Sequence, residues 1–215
     1  MASLLVNKNP SGFHTIKTAD DILGWTRTEQ HNEYKNIADL LPKNPRVLEI
    51  GCGWGRSTWA WLDALPATTD YYILDNFSMQ LGNTLRKKNW LKKWPQINEK
   101  ARKTKNLTQR KIFDGLISQH PNKDIIKTIW HMNGKDWLQS NHFTNNFDLV
   151  YLDDDHSFNA VSTWLNTFKN VPIVCGDDYN IKYFPQVIEA VNNYTIENEK
   201  YLLVPISCFF VIKNS

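Results

Sequence analysis

Apolar residues recur along this chain in two rhythms, and the rhythms alternate. At helical spacing, Tyr34, Ile37, Ala38 and Leu41 lead to Pro42 and predict an amphipathic helix. A second helix is predicted over 57–65, closed by Pro66, and a third along the stripe Phe158, Val161, Leu165 and Phe168. Phe184, Val187, Ile188 and Val191 predict a fourth, with Pro185 in its first turn, where a missing N–H is harmless. Between them lie short continuous apolar runs at 47–50, 71–75, 128–132, 147–152 and 171–175, the pattern of strands buried on both faces. The segments 201–205 and 208–213 stand close enough to pair as an antiparallel hairpin.

Strand and helix in turn predict an α/β fold: a Rossmann-like, doubly wound, mostly parallel sheet with an antiparallel C-terminal hairpin and helices on both faces. Ligands of such sheets sit outside the carboxyl ends of the strands, at the point where the strand order reverses. The helix before Pro42 is expected to cover that crevice. At 215 residues the chain suits one domain, 1–215, with a full hydrophobic core, and no internal repeat is apparent.

The first strand runs into Gly51, Gly53 and Gly55, and Glu49 lies just before them. Glycine permits left-handed dihedrals and close approach of backbone to a ligand, while the helix opening at Arg56 and Ser57 turns free N–H groups towards it. A dinucleotide fingerprint would need a third glycine where Arg56 stands. The pattern is E-x-G-x-G-x-G, and it resembles the first motif of class I S-adenosylmethionine-dependent methyltransferases. That resemblance implies a seven-stranded sheet whose last strand is antiparallel, and S-adenosyl-L-methionine as cofactor. It implies that Glu49, Gly51, Gly53 and Gly55 bracket the methionine part, and Ser57 is expected to bind the cofactor with them. Asp75 ends the next strand, twenty residues beyond Gly55, where a carboxylate can accept both ribose hydroxyl hydrogens. Asn76 and Phe77 would flank the adenine. After the third strand, Lys135 occupies the family's usual acid position near the adenine amino group, and Asp136 is expected to substitute one residue later.

Charge is unevenly divided. Between Arg86 and Lys111 stand eleven Lys and Arg residues against the single acid Glu99, which leaves a formal −7 on the rest of a chain whose net charge is +3. Opposing that basic segment is an acidic run, Asp153-Asp154-Asp155-His156, where the fourth predicted strand leaves the sheet. A second pair, Asp177-Asp178, follows the fifth. Adjacent carboxylates repel unless a cation or several N–H groups neutralise them, and oxygen ligands favour a hard ion. Neighbouring strands lie about 5 Å apart, so Asp153 and the pair 177–178 could reach one ion together.

The segment 147–194 resembles the small-molecule O-methyltransferases grouped with macrocin and other sugar methyltransferases and with cephalosporin hydroxylase-type proteins (methyltransferase family 24-like). Asp153, His156, Ser157 and Phe158 match their D-G-x-H-S-Y element, with Asp154 in place of glycine and Phe158 in place of tyrosine. Gly176, Asp177, Asp178 and Tyr179 match G-D-D-Y. The resemblance implies Asp153, Asp177 and Asp178 as ligands of Mg2+ or Mn2+, Asp153 at the cofactor as well, and His156 as the base that takes the proton of an acceptor hydroxyl. Asp153 and His156 are thus the expected catalytic residues.

The connection between the second and third strands is longer than one crossover needs, so 78–125 is expected to hold a basic helical insert or lid. Its lysines, arginines, Trp90 and Trp94 would suit an anionic small molecule; an alternative is single-stranded nucleic acid, making the chain a nucleic-acid methyltransferase. No D-P-P-Y or N-P-P-Y element follows the fourth strand, which argues against amino-directed base methylation. A methyltransferase fold that binds the nucleoside without turnover is the other alternative. Cys52, Cys175 and Cys208 read as reduced thiols of a cytoplasmic protein, and neither a signal sequence nor a membrane span is expected. The expected activity is methyl transfer to a small hydroxylated acceptor.

Overall fold

The computed structural model describes residues 15–79, 108–140, 146–206 and 208–213. These form a seven-stranded sheet of order β3-β2-β1-β4-β5-β7-β6. The strands are β1 (Arg46–Ile50), β2 (Asp70–Asp75), β3 (Ile126–His131), β4 (Leu149–Leu152), β5 (Ile173–Tyr179), β6 (Tyr201–Leu203) and β7 (Cys208–Lys213). Pairing is parallel from β3 through β5 and antiparallel at β5–β7 and β6–β7. The order reverses between β1 and β4, where Ile50 stands opposite Leu152. The site predicted from the alternation therefore lies above that pair of strand ends.

Side chains alternate across the sheet with period two and divide the core into two layers. Val47, Tyr71, Tyr151, Cys175 and Phe209 pack on one face with helices α1 (Gln30–Ala38), α2 (Arg56–Ala64) and α3 (Gln109–Ile117). Leu48, Leu74, Val150, Val174 and Phe210 pack on the other with α4 (Gly134–Gln139), α5 (Phe158–Thr167) and α6 (Pro185–Glu197). Tyr34 of α1 stacks on Trp61 of α2, ring centroids 4.2 Å apart, and its hydroxyl donates to or accepts from that of Tyr151 at 3.0 Å. Burying rings of that size is worth roughly 2–3 kcal/mol each and fixes α1 against the sheet. Local chemistry sets the helix starts: Asn133 caps α4, Ser157 caps α5, and Pro185 opens α6 at a position whose N–H has no partner anyway.

Of the segment 78–125, residues 109–117 form α3, whose Ile112, Phe113, Leu116 and Ile117 are buried against the sheet as an ordinary crossover helix. The basic segment 86–111, with Trp90 and Trp94, lies outside the described residues apart from its end at 108–111, which holds Arg110 and Lys111. The fifth strand continues past Cys175, so Asp177 and Asp178 belong to β5 itself. Among the described residues no helix is long and apolar enough to cross a membrane.

Candidate active site

The ends of β1, β2, β4 and β5 open into a cavity of about 410 Å³. Its floor on one side is the glycine turn and the residues after β2, Gly51 to Trp54 with Asp75, Asn76, Ser78 and Met79; on the other it is Asp153, Asp154, His156, Asp177, Asp178 and Phe184. Residues 23–26 form the cover, in place of the helix expected there. No residue of α1 lines the cavity, and Arg56 anchors the chain just before the cover: the guanidinium pairs with Asp20 and donates to the carbonyl of Ile22 at 3.4 Å. A Cβ at Gly24 would meet the Arg56 side chain at 2.7 Å, so the cover rests directly on α2.

The glycine side is built from backbone. Gly51 N–H donates to Leu74 at 2.8 Å, and Asp153 N–H donates to Ile50 at 2.8 Å. Gly51 has φ +87, and a Cβ there would lie 2.0 Å from the Asp153 carbonyl oxygen. Its missing side chain therefore makes room for the chain leaving β4 rather than for a ligand. Gly55, with φ +96, is the residue before α2 and is packed against Phe113 and Ile117, outside the cavity lining. Gly53 lines the cavity, and its N–H donates to Asp75 Oδ2 at 2.9 Å. Asp75 Oδ1 accepts from Phe77 N–H at 2.5 Å, which holds Phe77 in a left-handed turn with φ +48. Burial pushes the Asp75 carboxyl above its ordinary range, and these N–H groups pull it partly back. Asn76 lines the cavity beside it, and its carbonyl takes a hydrogen bond from His131 Nε2 at 3.1 Å.

Glu49 stands apart from the lining. It is fully buried beneath the turn and accepts from Ser57 Oγ at 2.5 Å, Thr58 Oγ1 at 2.6 Å and Tyr71 OH at 2.7 Å. Burial raises its carboxyl from 4.5 to about 7, against the pull of the three hydroxyls. The acid of the motif thus ties β1, β2 and the first turn of α2 together, and Ser57, which lines the cavity, gives its hydroxyl hydrogen to Glu49. Asp136 is also placed elsewhere. It is exposed in the first turn of α4, where Asn133 Oδ1 accepts from its N–H at 2.9 Å and Asn133 Nδ2 donates to its carboxylate at 2.7 Å. Its carboxylate is part of a helix cap and does not line the cavity.

The acidic side is built from side chains. Asp153, His156 and Asp178 each offer a ligand atom, and the three atoms lie within 4.8 Å of one another. His156 Nε2 is 2.7 Å from Asp178 Oδ2 and 3.8 Å from Asp153 Oδ1, an ion contact without an aligned hydrogen bond. Burial would lower the imidazole, but Asp153 and Asp178 outweigh it and raise His156 from 6.5 to about 10. The Asp153 carboxyl is pushed well above its ordinary range by burial and by Asp177 and Asp178, with His156 opposing. A break in the β5–β7 register between Gly176 and Tyr179 re-aims the acidic pair, and Asp178 takes φ +61 there. Asp177 is buried and turned aside from the converging group. Its Oδ1 accepts from Gln30 Nε2 and from Asp178 N–H, both at 2.7 Å, and burial raises it from 3.8 to about 6.

Two glutamines do work that the sequence reading missed. Gln30, fully buried, joins Asp177 to the cover: its Oε1 accepts from Arg27 N–H at 2.6 Å. Gln109, 2% exposed, donates to the Gly53 carbonyl and accepts from Met79 N–H, both at 2.7 Å. Neither has a signal in a single sequence, because each amide acts on residues far along the chain. The cover at 23–26 and Phe184, whose ring centre lies 4.6 Å from that of His156, were likewise unmarked.

No protein-family model matches the chain, and no curated protein matches it in sequence. Solved structures share its fold. The O-methyltransferase TomG from Streptomyces achromogenes, involved in tomaymycin synthesis and solved with S-adenosylmethionine, is similar over 99% of this chain and 92% of its own, at 14% identity and a TM-score of 0.57. The Bacillus cereus O-methyltransferase solved with S-adenosylhomocysteine is similar over 88% and 82%, at 13% identity and 0.56. The Podospora anserina methyltransferase PaMTH1, also bound to S-adenosylhomocysteine, is similar over 91% and 81%, at 15% identity and 0.55. The fold of this chain is that of the class I methyltransferases.

Proposed function

We propose that the chain transfers a methyl group from S-adenosylmethionine to a hydroxyl of a small neutral molecule such as a sugar. One observation carries this reading: the glycine turn with Asp75 and the group Asp153, His156 and Asp178 open into the same cavity at the sheet's reversal point. Gly51, Gly53, Ser57, Asp75 and Asn76 would hold the cofactor, with the free lone pairs of Asp75 taking the ribose hydroxyls. The bound cofactor supplies an electrophilic methyl on a sulfonium. Asp153, Asp154, Asp177 and Asp178 crowd the opposite end, and this repels an anionic acceptor and suits a neutral one.

The same end fits a divalent cation. Two carboxylates and an imidazole nitrogen without an aligned partner converge there, and burial without enough positive charge pushes Asp153 up. Asp153 and Asp178 would hold Mg2+ or Mn2+, with Asp177 beside them. Such an ion, when bound, lowers the pKa of a coordinated hydroxyl. His156 can accept a proton only when something other than its own charge offsets Asp153 and Asp178. Relieved of them, it returns towards its ordinary range and takes the acceptor's proton at Nε2. Phe184 and residues 23–26, which line the cavity, would limit the access of water to that transfer.

The test is calorimetry with S-adenosylmethionine and S-adenosylhomocysteine, followed by transfer of labelled methyl to a panel of sugars and other small alcohols with and without Mn2+. Micromolar cofactor binding with metal-stimulated transfer to a hydroxyl supports the reading, and absence of cofactor binding ends it. His156→Asn should keep Mn2+ binding while losing transfer; loss of both would make His156 a metal ligand rather than the base.

A further inference from the structure

Gln109 is buried at the first position of α3, and its side-chain amide is spent at both ends. Nε2 donates to the carbonyl of Gly53 at 2.7 Å, and Oε1 accepts from the N–H of Met79 at 2.7 Å. Those two partners flank the carboxylate of Asp75. Gly53, whose carbonyl Gln109 holds, also presents the N–H that donates to Asp75 Oδ2 at 2.9 Å. The turn that ends at Met79 carries the Phe77 N–H that donates to Asp75 Oδ1 at 2.5 Å. Both donors that orient Asp75 therefore stand on backbone that one amide clamps. Each stretch gains from being held: Gly53, at φ +56, is free to take other conformations, and Phe77, a bulky residue, sits at a disfavoured φ of +48.

We propose that Gln109 is a positioning residue for the cofactor, fixing the carboxylate of Asp75 through Gly53 and Met79. The proposal rests on the assignment of Asp75 to the cofactor's ribose made above. Gln109 itself is absent from the cavity lining, so its effect reaches a ligand only through the residues it holds. A glutamine is suited to the place because it pairs one acceptor with one donor across a gap between two backbone segments. Leucine offers neither. Glutamate keeps the acceptor for Met79 but loses the donor and sets a carboxylate oxygen against the Gly53 carbonyl.

The experiment is calorimetric titration of S-adenosylhomocysteine into the full chain, with Mn2+ affinity by electron paramagnetic resonance as the comparison. Gln109→Leu should weaken S-adenosylhomocysteine about tenfold and Gln109→Glu at least as much, while Mn2+ affinity stays within twofold of wild type. In an Asp75→Ala background the same two substitutions should have less than a threefold effect, because the residue they act through is gone. Unchanged S-adenosylhomocysteine affinity in both variants, or an undiminished effect in the Asp75→Ala background, overturns the proposal. A parallel loss of Mn2+ binding would also overturn it, by showing general disorder. If Gln109→Leu does not fold, Gln109→Glu alone decides the same question. Wild-type protein that binds no S-adenosylhomocysteine refutes the cofactor reading and this proposal with it; binding that the variants leave intact refutes this proposal alone.

Discussion

The two sides of the cavity solve opposite electrostatic problems. On the glycine side every carboxylate is supplied with donors by the fold: Asp75 has two backbone N–H groups and Glu49 has three hydroxyls. On the acidic side Asp153 and Asp178 face one imidazole between them, and Asp177 is steadied on one oxygen only. Carboxylates with donors are held in place before any ligand arrives. Those short of donors have residual charge to offer a cation. The contrast separates a side preorganised for shape from a side poised by charge.

The strongest way to break that separation is Asp153→Ala. Methyl transfer should fall roughly a thousandfold, as expected for losing a group at the reacting oxygen, while S-adenosylhomocysteine affinity changes less than threefold. Single-turnover transfer and calorimetry on the same protein would show it, and parallel losses would mean the two sides are one unit. Next comes pH. Folded Glu49 keeps its proton to about 7 where the unfolded chain releases it near 4.5, so the native state binds more protons in that window and stability falls as pH rises through it. The full difference is about 3 kcal/mol. Urea denaturation of Glu49→Gln at pH 5 and 7.5 should show this part of the slope gone. A same-signed remainder should persist from Asp177, which is raised from 3.8 to about 6.

Asp75→Ala should weaken S-adenosylhomocysteine roughly thirtyfold, by loss of charged hydrogen bonds to the ribose, and leave Mn2+ affinity unchanged. The smallest effect is expected from Gln30→Met, which keeps the volume but frees Asp177 from its amide. Mn2+ affinity should drop roughly tenfold with S-adenosylhomocysteine unaffected. A drop in cofactor affinity instead would place Gln30 on the other side of the divide.

What the sequence made legible was whatever repeats with a period or depends on chain neighbours. The rhythm of 3.6 and the buried runs of four to six residues marked the helices, the strands of the sheet and the terminal hairpin, because each needs only local pattern. Glycines 51, 53 and 55 marked the turn for the same reason. Their reasons for being glycine were not legible: Gly51 answers to Asp153, about a hundred residues away, and Gly55 to α3. Glu49 is expected at the cofactor from its place in the motif, and its depth inside β1, which gives it three hydroxyl partners, was not legible. Asp136 is expected near the adenine, and the structure shows its backbone and carboxylate bonded to Asn133; a cap in the first turn of a helix and an adenine contact look alike in one dimension. Gln30 and Gln109 were invisible, as polar residues on predicted helices give no hint of which distant carbonyl or carboxylate they meet.

The seat of Gly51 against the Asp153 carbonyl restricts how this scaffold can be altered. A Cβ would overlap that oxygen at 2.0 Å, so the path of the chain at the head of the acidic run is cast against the path of the glycine turn. Anyone redesigning the loop after β4 finds the main chain at 153 to be a common wall, and moving it remodels the neighbouring chamber too.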